Sequence, residues 1–244
     1  MPRIKLTLGY DGTAYHGWQK QPHHPTVQGH LENALYRLTQ QPLCVYGAGR
    51  TDAGVHALGQ VAHFDTSVSR TPAEWMRALN AMLPEDIVVN AVEEVDEAFH
   101  ARFSACAKTY RYQILHAKQP APLWRHTRWF VHYDLDVTRM RDTAKALVGL
   151  HCFTSFCAVD TDAPNHWIDL QRIHIEQNGT FIDITLNAPR FLRYMVRNIV
   201  GFLVEVGRGK RCPDEIPDLL AAKDRRAAGP TAPPQGLILV KIDY

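Results

Sequence analysis

The sequence predicts an α+β fold in which two ferredoxin-like halves, each with the order βαββαβ, form one extended, mostly antiparallel sheet flanked by helices. Alternating apolar residues predict the strands, capped amphipathic stretches predict the helices, and the same order of elements occurs in both halves. With 244 residues, of which 45% are apolar and 21% charged, the chain can bury a substantial core. We expect the halves to comprise residues 1–105 and 106–244.

The first half shows its elements through alternation and capping. Residues 3–10 alternate polar and apolar side chains, which predicts a strand. Thr26 is placed as the N-cap of an amphipathic helix, and Thr71 with Glu74 forms a capping box that begins a second helix. Further strands are predicted at 43–46, 59–66 and 86–92.

The second half repeats this order. KTYRYQIL at 108–115 alternates as a strand does, and apolar residues from Val137 predict a helix that ends at Gly149. Asn178-Gly179 predicts a type I′ turn between two hairpin strands. A helix over 191–207, a short helix from Pro213 and a last strand, LILVKID, complete the chain.

Composition excludes several classes of protein. The formal net charge is only +2, although basic residues cluster at 190–197, 208–211 and 223–226 and are compatible with a local basic surface. The five cysteines are irregularly spaced and lack a CxxC pair, so we expect free thiols and no metal site. Neither a secretory signal nor a membrane-spanning stretch is present. We therefore expect a cytoplasmic protein.

The segment GAGRTDAGVH places Asp52 in a glycine-rich turn between two apolar runs, with Arg50 two residues before it. The glycines at 47, 49 and 54 permit a tight or left-handed backbone, so the loop can lift the carboxylate toward a cleft. Aspartate near glycine is also a common turn residue that hydrogen-bonds to its own backbone. Spacing alone leaves both the structural and the catalytic interpretation of Asp52 open.

Two further segments carry candidate residues. On the strand that contains YRY, Tyr110 and Tyr112 share one face, and a strand tyrosine can either stack on a base or simply fill the core. In RFLRYMVRNIVG, we expect Arg193 and Arg197 on one helical face. Arg197 lies within an apolar stretch, so its charge needs either a buried anionic partner, for which Asp52 is a candidate, or a side chain that extends to solvent.

Together, three long segments resemble the defining segments of the TruA-type tRNA pseudouridine synthases: GRTDAGVHALGQVAHF, FHARFSACAKTYRYQIL and FLRYMVRNIVGFLVEVG. YDGTAYHGWQKQP near the start and GLILVKIDY at the end also match, so the resemblance covers essentially the whole chain in order. It implies the pseudouridine synthase fold and a cytoplasmic homodimer that isomerises uridines at positions 38–40 of the tRNA anticodon stem-loop. It also implies that no cofactor is needed.

The resemblance assigns a role to four residues. Asp52, the aspartate of GRTD, is expected to be catalytic, and Arg197, the arginine of MVRN, to pair with its carboxylate. Tyr110, the first tyrosine of YRY, is expected to pack on the target base, and Arg50 to help hold the flipped-out nucleotide. The chain departs from the family pattern at DTDAPNHWIDLQRI, which includes the atypical segment 160–169, so no RNA contact is carried over there.

Two other functions stay open beside the RNA-modifying isomerase. In a non-catalytic RNA-binding protein, Asp52 and Arg197 would form only a structural ion pair. A metal-dependent hydrolase would use Asp52, Asp65, His56 and His63, although these residues lack a recognised ligand spacing.

Overall fold

In the computed structural model, which describes residues 1–161 and 163–244, the chain divides into two units. The first comprises Met1–Cys106 together with Ile238–Tyr244, and the second comprises Ala107–Leu237. This division differs from the expected one at the last strand, which belongs to the first unit because it pairs with a strand there. Both units combine helices with mostly antiparallel strands, as the α+β class requires.

The elements of the first unit follow the βαββαβ order predicted from the sequence. They are β1 (Arg3–Tyr10), α1 (Val27–Thr39), β2 (Tyr46–Gly47), β3 (His56–Asp65), α2 (Pro72–Met82) and β4 (Ile87–Val95).

The sheet of the first unit is built around β1 and β3. Strand β1 pairs antiparallel with both β3 and β4, and β2 pairs antiparallel with the other edge of β3. Inward-facing side chains of β1, such as Leu6 and Leu8, are fully buried, as are Leu35 on α1 and Leu79 on α2. The alternation seen in the sequence is therefore the alternation of a strand with one face on a helical layer.

Both predicted helix starts in the first unit are confirmed. The Thr26 side chain accepts a hydrogen bond from the Gly29 N–H at the start of α1. At α2, the Thr71 side chain accepts from the Glu74 N–H, while the Glu74 carboxylate accepts from the Thr71 N–H. These bonds satisfy N–H groups that have no partner inside the helix, which is why the sequence signal is reliable.

The second unit contains more strands than the sequence predicted. Its elements are β5 (Ala107–His116), β6 (Trp129–Val131), α3 (Val137–Lys145), β7 (Gly149–Cys152), β8 (Trp167–Leu170), β9 (Arg172–Asn178), β10 (Phe181–Ala188), α4 (Met195–Gly207) and α5 (Ile216–Ala222). The chain then forms β11 (Leu237–Asp243), whose Ile238 and Leu239 lie parallel to His56 and Ala57 of β3 in the first unit.

Strand β10 is central to the sheet of the second unit. It pairs antiparallel with β5 on one side and with β9 on the other, while β6 extends β5 in parallel and β7 pairs with β8 separately. The core side chains Tyr112, Ile182 and Ile184 are fully buried on one face of this sheet. Helix α4 packs on β5 and on α3, so the most apolar helix of the chain lies over this core.

Three local predictions in the second unit are wrong. Helix α3 ends at Lys145 and not at Gly149, which begins β7. The hairpin turn consists of Gly179 and Thr180, because Asn178 still pairs with Phe181, and only Gly179 has a positive φ, 59°. A type I′ turn needs positive φ at both central residues. Helix α4 begins at Met195 because Tyr194 is left-handed, with φ 63°, so Arg193 precedes the helix and does not share a helical face with Arg197.

Among the residues that the structure describes, no helix is both long enough and apolar enough to cross a bilayer.

Replacement of Gly201 by alanine tests the packing of α4. A Cβ there would lie 1.9 Å from the Pro230 carbonyl oxygen, a backbone atom that cannot turn away. We expect Gly201→Ala to lower the free energy of unfolding by about 1–3 kcal/mol in urea titrations. Gly9→Ala is the control, since its Cβ would come closest to the Asn90 side-chain amide, at 3.2 Å, and no nearer than 3.6 Å to a backbone atom. Equal stability of Gly201→Ala and wild type would contradict this packing.

Candidate active site

The loop between β2 and β3 carries Asp52 and Arg50, as the sequence predicted. Asp52 is half-buried and Arg50 is exposed. The Asp52 carbonyl accepts the Val55 N–H at 3.1 Å, and Gly54 has φ 76°. The backbone of Asp52 therefore closes a tight turn, and this turn sets the direction in which its carboxylate leaves the loop.

The β1–α1 loop lies against the Asp52 loop and bonds to it on both sides of the carboxylate. The Trp18 N–H donates to the Thr51 carbonyl at 3.1 Å, and the Gly54 N–H donates to the Tyr15 carbonyl at 3.2 Å. These two backbone hydrogen bonds join the loops and fix the positions of the residues before and after Asp52.

Three glycines allow this close approach. A Cβ on Gly12 would lie 2.0 Å from the Val55 carbonyl oxygen, and one on Gly17 would lie 2.4 Å from the Thr51 carbonyl oxygen. Gly47 has no side chain because a Cβ there would meet the Trp18 indole nitrogen at 2.5 Å. Within the GRTD loop only Gly54 is left-handed, so the expected role of the glycine at 47 is corrected from backbone freedom to space.

A buried polar network holds the GRTD loop from beneath. The hydroxyls of Tyr10 and Thr51 are hydrogen-bonded at 2.8 Å. The Gln60 amide donates to the Gly49 carbonyl at 2.9 Å and to the Tyr10 oxygen at 3.4 Å. Burial raises the pKa of Tyr10 to about 12, so the phenol stays protonated and available for these bonds. The network fixes the residues on either side of Arg50.

Tyr110 lies on β5 in the second unit, on the same face as Tyr112, as alternation predicted. Its ring is 8% exposed and contacts Phe191 edge-to-face, with centroids 5.1 Å apart. Tyr112 is fully buried and its hydroxyl donates to the Pro233 carbonyl at 2.7 Å. Tyr112 is therefore a core residue, whereas Tyr110 keeps a small exposed fraction.

Arg197 is half-buried on α4, and its orientation is fixed within the second unit. Its Nε donates to the Ala232 carbonyl at 2.8 Å, while the Ala232 N–H donates to the Arg197 carbonyl at 3.0 Å. The guanidinium carbon also lies 4.9 Å from the centre of the Tyr194 ring. These contacts set the plane of the guanidinium before any ligand arrives.

The neighbouring Asn198 ties the segment after α5 to α4. Its side chain is fully buried and donates to the Phe156 carbonyl at 2.8 Å. Its oxygen accepts from Arg225 at 2.9 Å and from the Thr231 hydroxyl at 2.6 Å. The asparagine of MVRN thus supports the segment whose Ala232 orients Arg197.

The atypical segment 160–169 contacts the chain just before α4. Asp160 accepts from Arg193 at 2.6 Å, and the Asn165 and Trp167 carbonyls accept from Arg190 at 3.0 and 3.2 Å. Asp162 lies outside the described residues. These arginines are partly engaged within the protein, which is the structural reason that Arg193 does not join the helix.

The residues of the hydrolase hypothesis are occupied by other contacts. Both oxygens of Asp65 accept from Arg3, at 2.7 and 2.8 Å. Nδ1 of His56 accepts the Gly12 N–H at 3.0 Å, and Nδ1 of His63 accepts the Ala101 N–H at 3.2 Å. Within residues 1–161 and 163–244, no three side chains of His, Cys, Asp or Glu form a group that could hold a metal ion.

The four predicted site residues therefore fall in two units, each held by its own network. Asp52 and Arg50 lie on the loop of the first unit, and Tyr110 and Arg197 lie on β5 and α4 of the second. A family model described as tRNA pseudouridine synthase matches residues 8–104 and 143–244, and these two stretches include the Asp52 loop and α4. The chain belongs to this family.

Individual family members are similar over nearly their whole length. tRNA pseudouridine synthase A of Aliivibrio salmonicida is 46% identical over 242 residues, covering 99% of this chain and 92% of the relative. The protein of the same name from Geobacillus kaustophilus is 46% identical over 243 residues, with 99% and 94% covered. A chain from "Crystal Structure of a Cbf5-Nop10-Gar1 Complex" covers 82% of this chain and 54% of its own length at 11% identity; its TM-score of 0.32 is too low to support an argument.

The sequence analysis missed the residues that support the family's GRTD loop. Gln60 is a polar residue in the apolar run QVAHF, and this position in the sequence could have indicated a buried side chain with a structural hydrogen bond. In the structure Gln60 is fully buried. Tyr10 continues the inward-facing positions of β1, so its pattern alone indicates an ordinary core tyrosine. Only the fold brings Tyr10 to Thr51 and Gln60 to Gly49.

Replacement of Gln60 by leucine tests the buried network. We expect Gln60→Leu to lower the free energy of unfolding by about 1–3 kcal/mol, because the Gly49 carbonyl loses its amide donor. Urea titration measures this loss, and Gln19→Leu, which replaces an exposed glutamine of the same unit, serves as control. A Gln60→Leu protein as stable as the control would show that the network does not hold the loop.

Acidification tests the burial of His63. Burial lowers the pKa of His63 to about 4, whereas the pKa of a histidine in the unfolded chain is about 6.5. Between these two pH values, the unfolded state binds a proton that the folded state excludes. Its contribution to stability is present above pH 6.5 and is lost as the pH falls toward 4, by on the order of 3 kcal/mol. Unfolding titrations across this range should show a weaker pH dependence for His63→Gln than for the exposed control His174→Asn. Equal slopes would contradict the prediction.

Proposed function

We propose that Asp52 is the reacting carboxylate of an enzyme that isomerises uridine to pseudouridine in tRNA, at positions 38–40 of the anticodon stem-loop. The observation that carries the proposal is the position of Asp52. It lies in a turn held by hydrogen bonds to the residues on both sides of it, within a chain that is 46% identical to tRNA pseudouridine synthase A proteins. The Asp52 carbonyl closes the turn, so the carboxylate itself is not needed for the turn and can act on a substrate.

Pseudouridine formation breaks the bond between N1 of uracil and C1′ of the ribose, turns the base, and joins C5 to the same carbon. C5 then loses its hydrogen as a proton and N1 gains a proton, so atoms and electrons balance and no redox partner or water is consumed. The sugar carbon becomes electron-poor as the base leaves. Asp52 acts there as a glycosidase carboxylate does, by bonding to that carbon or by stabilising its positive charge.

We assign the electrostatic partner of Asp52 to Arg197. A carboxylate in a site closed by RNA loses water, which raises its pKa, and an adjacent guanidinium opposes that shift. The contacts of Arg197 with Ala232 and Tyr194 support the assignment, because they fix the plane of a fork that can hold both carboxylate oxygens. Lysine at this position would supply a positive charge but not the planar pair of N–H donors that can bind both carboxylate oxygens.

The target nucleotide must leave its stack to reach Asp52, at a cost of a few kcal/mol. We assign the stacking surface for the flipped uracil to Tyr110, whose ring is already fixed edge-to-face against Phe191. Arg50 is exposed beside Asp52, and we assign it to hold the flipped-out nucleotide. The two assignments follow the family motif.

We also propose that the fold consists of two duplicated ferredoxin-like halves. The first unit has the order βαββαβ, and the second contains β5, α3, β9, β10 and α4, which supports a duplicated ferredoxin-like plan with halves near 1–105 and 106–244. The resemblance to the TruA-type enzymes supports a cytoplasmic homodimer that binds tRNA without a cofactor. The basic clusters of the chain would bind phosphates of the stem and set its register.

Replacement of Asp52 separates a catalyst from an RNA-binding protein. We expect Asp52→Ala to bind an anticodon stem-loop as tightly as wild type and to lower the single-turnover rate of isomerisation by on the order of 10³-fold or more. Tritium release from 5-³H-uridine RNA measures the rate, and filter binding measures affinity. Asp142→Ala removes an equal charge at an exposed pair and serves as control.

An active Asp52→Ala enzyme would remove the catalytic assignment. Loss of binding together with loss of activity would instead indicate that Asp52 positions the RNA.

A further inference from the structure

A stack of aromatic and imidazole rings lies on the first unit outside the Asp52 loop. We call it the Tyr46–Phe103 stack; its members are Tyr46, His63, His100 and Phe103. Tyr46 stacks on His63 with centroids 5.2 Å apart and planes at 22°, and His63 contacts His100 at 4.7 Å. His100 in turn lies 4.4 Å from Phe103. The His63 and His100 rings meet edge-to-face, at 68°, and Tyr46 also lies 5.8 Å from His100, so the four rings form one connected cluster.

The two ends of the Tyr46–Phe103 stack are open to solvent, and its middle is not. Phe103 is 76% exposed and Tyr46 is 50% exposed, whereas His63 is 1% exposed. A single exposed aromatic side chain needs no explanation, but two that pack on the same pair of histidine rings present exposed ring faces with a rigid backing. This arrangement suits the face of another planar ring.

The backbone holds the rings of His100 and Tyr46 in place. The Arg102 N–H donates to Nδ1 of His100 at 3.1 Å, and the His100 N–H donates to the Ser104 hydroxyl at 2.9 Å. Tyr46 is fixed by strand pairing opposite His63. The surface is thus organised before a ligand arrives, which lowers the entropic cost of binding.

The stack is uncharged at neutral pH, and a cation borders it. Burial lowers the pKa of His63 to about 4 and also lowers the pKa of His100, so both imidazoles are neutral. The guanidinium carbon of Arg102 lies 5.6 Å from the centre of the Phe103 ring. In the chain apart from residue 162, Arg102 forms no ion pair, so its charge is available to a phosphate or a base.

The position of the stack connects it with the substrate. Tyr46 begins β2, and the chain runs from there into the Asp52 loop, reaching Arg50 after four residues. Asp52 follows after six residues, and at about 3.3 Å per residue that stretch spans at most about 20 Å. Nucleotides that flank a uridine held at Asp52 are therefore within reach of the Tyr46 ring.

We propose that the Tyr46–Phe103 stack binds an unpaired nucleobase of the tRNA substrate, next to the nucleotide that reacts. The inference rests on the proposed function, because the RNA and its position follow from it. Unpaired bases are recognised chiefly by stacking on aromatic rings and guanidinium planes, and the stack offers both. A second copy of this chain is the competing occupant, and Arg102 favours RNA because a phosphate backbone supplies the complementary charge.

The affinity of Phe103 variants for RNA tests the stack. The probe is a fluorescent anticodon stem-loop RNA, measured by anisotropy. Stacking of one base is lost in Phe103→Ala, so we expect Kd to rise about tenfold. Phe103→Trp should bind as tightly as wild type, and Phe103→Leu, which keeps apolar volume without a flat ring, should bind as weakly as Phe103→Ala. Tyr36→Ala removes a comparably exposed aromatic ring from α1 and should leave Kd unchanged.

Salt and kinetics separate stacking from other roles. The loss in Phe103→Ala should be the same at low and high salt, whereas Arg102→Ala should reduce the slope of log K against log salt by about 1. At saturating RNA, the single-turnover rate of Phe103→Ala should equal that of wild type, because the ring contributes to binding and not to chemistry.

Two results would overturn the inference. Either Phe103→Ala or Phe103→Leu binding RNA as tightly as wild type would show that no base stacks there. A lower mass of Phe103→Ala in sedimentation equilibrium would assign the surface to a second copy. Pseudouridine formation by the wild-type protein tests the proposed function separately, so a failure of the stack leaves that function standing.

Discussion

The buried hydrogen bonds around Thr51 are the constraint on which the candidate site depends. The Thr51 hydroxyl bonds to Tyr10, and its carbonyl accepts from Trp18, so side chain and backbone are held by different elements of the first unit. A buried polar group without a partner is costly, so the loop loses stability if it moves away from either contact. These bonds therefore also fix the backbone from which the Asp52 carboxylate, one residue later, extends.

Glycines determine how closely these elements approach. Gly12 and Gly17 allow the β1–α1 loop to lie directly on the Asp52 loop, and Gly201 does the same where α4 meets the segment that contains Ala232. In each unit, glycine therefore allows close packing near a candidate site residue. That residue is Asp52 in the first unit and Arg197 in the second. Rigid support of this kind reduces the reorganisation required when charge develops in a reaction.

Local signals in the sequence predicted local structure well. The alternation at 3–10 and the caps at Thr26 and Thr71 are confirmed because neighbouring residues alone determine them. The prediction that Arg193 lies on α4 was wrong because Tyr194 is left-handed. Arg193 instead contacts Asp160, which is 33 residues away in the sequence. The support given by Gln60 was missed for the same reason, since Gly49 and Tyr10 reach it only in the folded protein. Motif resemblance identified Asp52, whereas periodicity left its role open.

The pairing of β11 with β3 affects how this protein is made. Residues 238–244 complete a unit whose other members all precede residue 107, so the ribosome must finish the intervening segment before β3 gains this partner. At roughly 5–20 residues per second, the delay is on the order of ten seconds. During that interval the edge of β3 at His56 and Ala57 stays uncovered, and it is then most exposed to chaperones and to mispairing with other nascent chains.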